Sequence, residues 1–244
     1  SDSVFFPAGV YLISDTIKLK TKTALIGEAW STLMGKAGSS AFMNDNDPTA
    51  MLLLPDDRSC DVRMANLLLS LQGDLPGCII LRHSSGSLST WDVHYRLDHG
   101  GWGMVHMTDS AGGYIENMWG WTADHDIVTG KNITVKNARG FLCESSGDLI
   151  MYGTAFEHSY MYQYNFTKAS NVIMLLTQTE TPYWQDPPSS PAMHIKESRD
   201  IHLYGSGFYS WFHGTQKSVF EVYNSPDIYL YANNVHGVNE LISG

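Results

Sequence analysis

The sequence predicts an all-β fold: a single-stranded right-handed parallel β-helix occupying residues 1–244 as one solenoid domain. Three observations carry that expectation. The second half repeats with a period in the twenties, short β-forming runs alternate with polar corners, and no amphipathic helical pattern exceeds two turns. A unit that cannot bury its apolar face alone must stack on its neighbours, and such stacking leaves a period of this length.

The chain opens on a strand-like run, Val4-Phe5-Phe6, with no initiator Met, and reads as a mature or truncated product, so that any secretion signal would have been upstream. Weaker echoes of the repeat follow at residues 23–27, 66–70, 90–94 and 113–117. The second half then holds four segments, 141–153, 162–176, 193–205 and 220–232, that align on corners at Asp148, Asn171, Asp200 and Asp227. These corners lie 23, 29 and 27 residues apart. Asp and Asn suit a corner because their side chains bond the local backbone and tolerate left-handed dihedrals. The residues after each corner are apolar, aromatic or β-branched, as strands prefer. The stretch 182–191, with Pro187-Pro188-Ser189-Ser190-Pro191, accounts for the longest step as a loop between coils or as the rim of a cleft. A β-sandwich would need hairpin turns every ~8 to 12 residues, and the Asn-Gly or Asp-Gly signals for them are absent.

With 43% hydrophobic and 16% charged residues, the chain can bury a substantial core. Its 25 acidic side chains against 15 Lys and Arg argue against nucleic acid, whose affinity comes from cations neutralising phosphates. No apolar run approaches the ~18 to 20 residues of a membrane span. Cys60, Cys78 and Cys143 follow no metal spacing and no Gly-rich phosphate loop occurs, so neither metal nor cofactor is expected. Asn132-Ile133-Thr134 and Asn165-Phe166-Thr167 would accept glycans in a secreted protein.

Aligning the repeats yields a sharper expectation. Glu157 lies nine residues after Asp148, and Glu180 nine after Asn171, with Tyr209 and His236 at the same place in the next coils. Stacked coils put these side chains in one column, about 4.8 Å apart. Two carboxylates so close cannot both ionise freely, which raises one pKa and leaves an acid protonated near neutrality. Such an acid protonates a glycosidic or ester leaving group. Around the pair, Phe156, His158, Tyr160, Gln163, Gln178, Tyr183, Trp184 and Gln185 form an aromatic and amide-rich setting suited to a neutral polyhydroxylated ligand. A second cluster, Trp119-Gly120-Trp121-Thr122-Ala123-Asp124-His125-Asp126, reads first as a sugar subsite or catalytic support, next as a structural corner and last as a metal site, since Asp-His-Asp spacing alone is weak evidence for metal. His94 reads as a structural histidine.

Several segments together resemble glycoside hydrolase family 55: Gly27 to Trp30, Trp91 to His94, Tyr114 to Asp126, Met151 to His158, Tyr162 to Asn165 and Gln178 to Tyr183. The resemblance implies a secreted exo-β-1,3-glucanase that inverts the anomeric centre, acts on laminarin-type glucan and needs no metal. It implies Glu180 as general acid and Glu157 as second carboxylate of the site. It further implies that Asp124 or Asp126 contributes to the site; with them, Trp121, His158, Gln163, Gln178 and Tyr183 are expected as substrate contacts from the surroundings of the pair. Members of the family carry two β-helices in one polypeptide, and this chain matches only the second, so a first β-helix is expected as partner. The alternatives are a non-catalytic glucan-binding domain and a structural β-helix.

Overall fold

An isolated short strand leaves its backbone donors and acceptors unpaired, and the next coil satisfies them. In the computed structural model, which describes residues 2–182, 184–185, 190–210 and 218–244, strand after strand pairs in parallel with the equivalent strand one coil later. The chain is a parallel β-helix, and no α-helix occurs among the described residues.

Each coil of the second half has three short strands. One coil comprises Arg139–Ser145, Leu149–Tyr152 and Ala155–Glu157. The next comprises Tyr162–Thr167, Ser170–Leu175 and Gln178–Glu180. It is followed by Met193–Lys196, Arg199–Tyr204 and Gly207–Tyr209, then by Ser218–Tyr223, Ile228–Tyr231 and Asn234–His236. In the first half the strands run through their corners as long elements such as Leu75–Leu97 and Gly101–Glu116.

The core is a set of ladders. Leu149, Val172, Ile201 and Ile228 stack in register, as do Met151, Met174, Leu203 and Leu230. The aromatic rings of Phe141, Phe156 and Tyr164 fill the centre beneath the third strands. Three of the four corner residues do what their chemistry suits: Asn171, Asp200 and Asp227 have φ of 61°, 54° and 58°, in the left-handed region that Asn and Asp tolerate, whereas Asp148 does not take it. Asn171 adds a rung by donating its side-chain amide to the Ser146 carbonyl one coil back at 3.0 Å.

The three cysteines are buried and free, and burial pushes their thiols up, to about 11 at Cys60 and about 12 at Cys78 and Cys143. Of the two sequons, Asn132 is exposed, whereas Asn165 is buried with its side-chain oxygen accepting from Thr167 at 2.7 Å. Asn165 therefore offers no glycan acceptor in the folded chain.

Candidate active site

Alternation along the third strand of each coil decides which side chains can meet. Gly120, Phe156, Thr179, Phe208 and Val235 share one register and point to the core side. Their neighbours point outward, and so Trp121, Glu157, Glu180, Tyr209 and His236 form one column, with Arg96 before them. A parallel column holds Trp119, Ala155, Gln178 and Gly207.

Glu157 and Glu180 are thus adjacent, but their environments differ. Glu157 is 7% exposed. Its Oε2 accepts the Trp119 indole N–H at 3.0 Å, and the Gln178 side chain bonds it from the other column. Burial pushes its carboxyl pKa up, opposed by the two donors and His158; the Glu180 charge is the smallest contribution. Stacking alone leads one to expect that charge repulsion raises one carboxyl of the pair. The raised group shown here is Glu157, and desolvation outweighs charge repulsion as the cause. Glu180 is the more open of the two, with its side chain 25% exposed.

His158 locks the pair from beneath. Its backbone sits at φ 63°, and its N–H donates to the Glu180 carbonyl at 2.8 Å. Its Nδ1 lies 3.0 Å from the Thr122 carbonyl, which only accepts, so Nδ1 carries a proton. Nε2 then faces Glu180 Oε2 at 3.7 Å. Trp184 covers this ring edge-on at 5.4 Å while its indole donates to the Val135 carbonyl at 3.2 Å. One ligand atom from each of Glu157, His158 and Glu180 lies within 4.8 Å of the others, a donor set a divalent cation can accept. The sequence points to residues 124–126 as the metal alternative and groups Glu157, His158 and Glu180 as a sugar site; no metal-ligand spacing marks these three, because they come from two coils.

Residues 124–126 carry hydrogen bonds of their own. Asp124 bonds His125 Nδ1 at 2.7 Å. Asp126 accepts from the Thr129 backbone at 2.6 Å and from its hydroxyl at 2.8 Å, bonds that hold its pKa down. Both therefore shape the loop that follows Trp121, and their bonds run within it. Gln163 is wholly buried: its amide bonds Ser159 at 2.8 and 3.0 Å and Ser190 at 2.9 Å. It props the loop at residue 190 and presents nothing to a ligand. Tyr183 lies outside the described residues.

The structure gives Trp119, named with the second cluster, a definite role and adds Arg96, which the sequence reading did not select. Trp119 stacks on Trp121 with ring centroids 5.0 Å apart and bonds Glu157. Arg96 stands 5.3 Å over the Trp121 ring and is paired with Asp98. Both were reachable from a coil-length step, since Arg96 lies 25 residues before Trp121. A cavity of about 660 Å³ lies to one side, lined by Asp98, His99, Trp102, Lys136 and Arg139 among others, and neither carboxylate reaches it. Its Trp102 is no stacking platform, because the Arg139 guanidinium covers the ring at 3.9 Å.

Comparison with known proteins agrees with the fold. No family model matches the sequence. A protein described as a probable glucan endo-1,3-beta-glucosidase of Arthroderma benhamiae is 33% identical over 270 residues, covering 86% of this chain and 30% of its own length. The non-secreted LysM effector LysM15 of Penicillium expansum is 28% identical, covering 98% of this chain and 21% of its own. A glucan 1,3-beta-glucosidase of Cochliobolus carbonum is 28% identical, covering 86% and 33%. The chain thus spans about a third or less of the curated relatives it matches. Among solved structures, sacteLam55A from Streptomyces sp. SirexAA-E superposes with a TM-score of 0.65 over 97% of this chain and 47% of its own, at 19% identity. The chain is thus a parallel β-helix whose fold matches that of sacteLam55A and whose sequence is similar, over part of their length, to proteins described as 1,3-beta-glucosidases.

Proposed function

We propose that this chain is the second β-helix of a β-1,3-glucan hydrolase that works from chain ends with inversion, with Glu180 as general acid. The observation that carries the proposal is the in-register pair Glu157 and Glu180 beside the stacked Trp119 and Trp121. The glucosidase names of the Arthroderma and Cochliobolus relatives support the substrate class. Glu180, the open carboxyl, gives its proton to the glycosidic oxygen as the bond to the anomeric carbon breaks. Water adds to that carbon and loses a proton to a base.

Glu157 is too enclosed to attack the anomeric carbon. Carboxyl oxygens this close otherwise match a retaining pair, whose groups lie about 5 to 5.5 Å apart, whereas inverting pairs are about 6.5 to 9.5 Å apart. We read Glu157 as holding Glu180 and ordering water, with the water-activating base supplied elsewhere in the complete site. Exo action rests on the family resemblance, and the relatives' names include an endo-acting one. Secretion is part of the same proposal, with the exposed Asn132 as its glycan acceptor.

Laminarin digestion followed by NMR of the first-formed product tests the reading. Glucose released as the α-anomer is expected. A β-anomer would make Glu157 a nucleophile, and mixed oligosaccharides would make the action endo. Absence of hydrolysis even with a first β-helix supplied would overturn the enzyme reading. Retardation in a laminarin gel would then favour a non-catalytic glucan-binding domain.

A further inference from the structure

Trp30 stands in a conformation that its packing does not explain. The strand Thr23–Gly35 breaks register between Ile26 and Ser31, and within this bulge Ala29 and Trp30 take φ of 41° and 79°. Left-handed backbone is unfavourable for a bulky side chain, and bulges commonly re-aim one. The bulge is held firmly: the Ser31 hydroxyl bonds the Phe6 and Pro7 carbonyls at 2.7 and 2.9 Å, and Glu28 accepts the Ala8 N–H at 3.0 Å. Gly27 is required there, since a Cβ would meet the Asn66 carbonyl oxygen at 2.1 Å. Yet the indole so positioned remains 53% exposed.

The ring rests on His94 with centroids 4.5 Å apart and planes 30° from parallel. His94 Nδ1 accepts the Trp119 backbone N–H at 3.1 Å, and burial favours the neutral ring. Nε2 therefore carries the proton, and it has no acceptor among the described residues. Trp30 is thus linked to the carboxylates in steps: its ring lies on His94, His94 accepts from the Trp119 backbone, and the Trp119 indole bonds Glu157. The His94 strand lies two strand spacings from that of Glu157, about 10 Å, a gap that an oligosaccharide bridges and a single glucosyl unit does not.

We propose that Trp30, seated on His94, is a remote stacking site for a glucosyl unit of the glucan chain whose cleaved bond lies at Glu157 and Glu180. This rests on the glucan reading above and adds a chain-length preference to it. Calorimetric titration with laminaribiose and laminarihexaose, in a Glu180→Gln background that prevents turnover, tests it. Trp30→Ala is expected to weaken hexaose binding about 2- to 10-fold and leave biose binding unchanged. Trp30→Phe should retain most of the affinity. Trp30→Gly, which suits the left-handed backbone, should fold at least as well as the parent and still lose hexaose affinity. Unchanged hexaose binding in both Ala and Gly variants, or equal loss for both sugars, would overturn the site while leaving the glucan reading intact. A parent that binds neither sugar would overturn both.

Discussion

At the scale of single residues, the two carboxylates invite different substitutions. Losing general acid help costs about 10² to 10⁴ in rate. Glu180→Gln should therefore cut laminarin hydrolysis by that factor and spare an aryl glucoside, whose leaving group needs little protonation. Equal losses on both substrates would remove Glu180 from the role. Glu157 is tested by stability. Its folded pKa is raised above the ordinary 4.5, so the neutral acid favours the fold at low pH, and that contribution fades as pH rises through the folded value. Melting temperature should accordingly fall as pH rises above the ordinary 4.5 more steeply in the parent than in Glu157→Gln. A parallel course in the two proteins would mean that burial does not hold the proton. Chelation is expected to leave hydrolysis unchanged; loss restored by a divalent ion would make Glu157, His158 and Glu180 a metal centre.

At the scale of strands and corners, the sequence disclosed the second half well. Asn171, Asp200 and Asp227 share one left-handed corner, and Glu157, Glu180, Tyr209 and His236 fall in one register, as their spacings imply. The site's other members were hidden for physical reasons. Between Trp121 and Glu157 the chain detours through the loop after Asp124, so counting coil lengths fails there. Burial, which separates Glu157 from Glu180 and removes Gln163 from any ligand, depends on loops folded over the strand and leaves no periodic mark. Trp30 was displaced by a bulge that only the pairing reveals.

Phe156 links this scale to the site. It is fully buried against Phe141 and Tyr164 immediately before Glu157. Truncating such a ring costs about 3 to 5 kcal/mol. In a domain of this size each kcal/mol lowers the melting temperature by about 2 to 4 °C. Phe156→Ala should show that loss in thermal melts, and an unchanged transition would mean that the ladder collapses around the gap.

At the scale of the whole molecule, each coil touches mainly its neighbours, so protection should vary along the axis. The last strands, Ile228–Tyr231, Asn234–His236 and Glu240–Ser243, are mostly exposed or half-buried, while Leu149–Tyr152 and Ser170–Leu175 alternate buried and open. Amide hydrogen exchange should be slowest in the middle coils and faster by orders of magnitude at the last ones. Uniform protection from end to end would show that the chain opens only as one unit.

The stacked register has a consequence for how such a protein changes over generations. The chain takes 36 residues from Trp121 to Glu157, 23 from there to Glu180 and 29 onward to Tyr209, yet each step advances one strand. The separation of the two carboxylates is fixed by backbone pairing and is indifferent to how much chain bulges out between them. Insertions and deletions at the corners can therefore accumulate in a lineage, resculpting what surrounds the pair, while the pair itself is inherited intact.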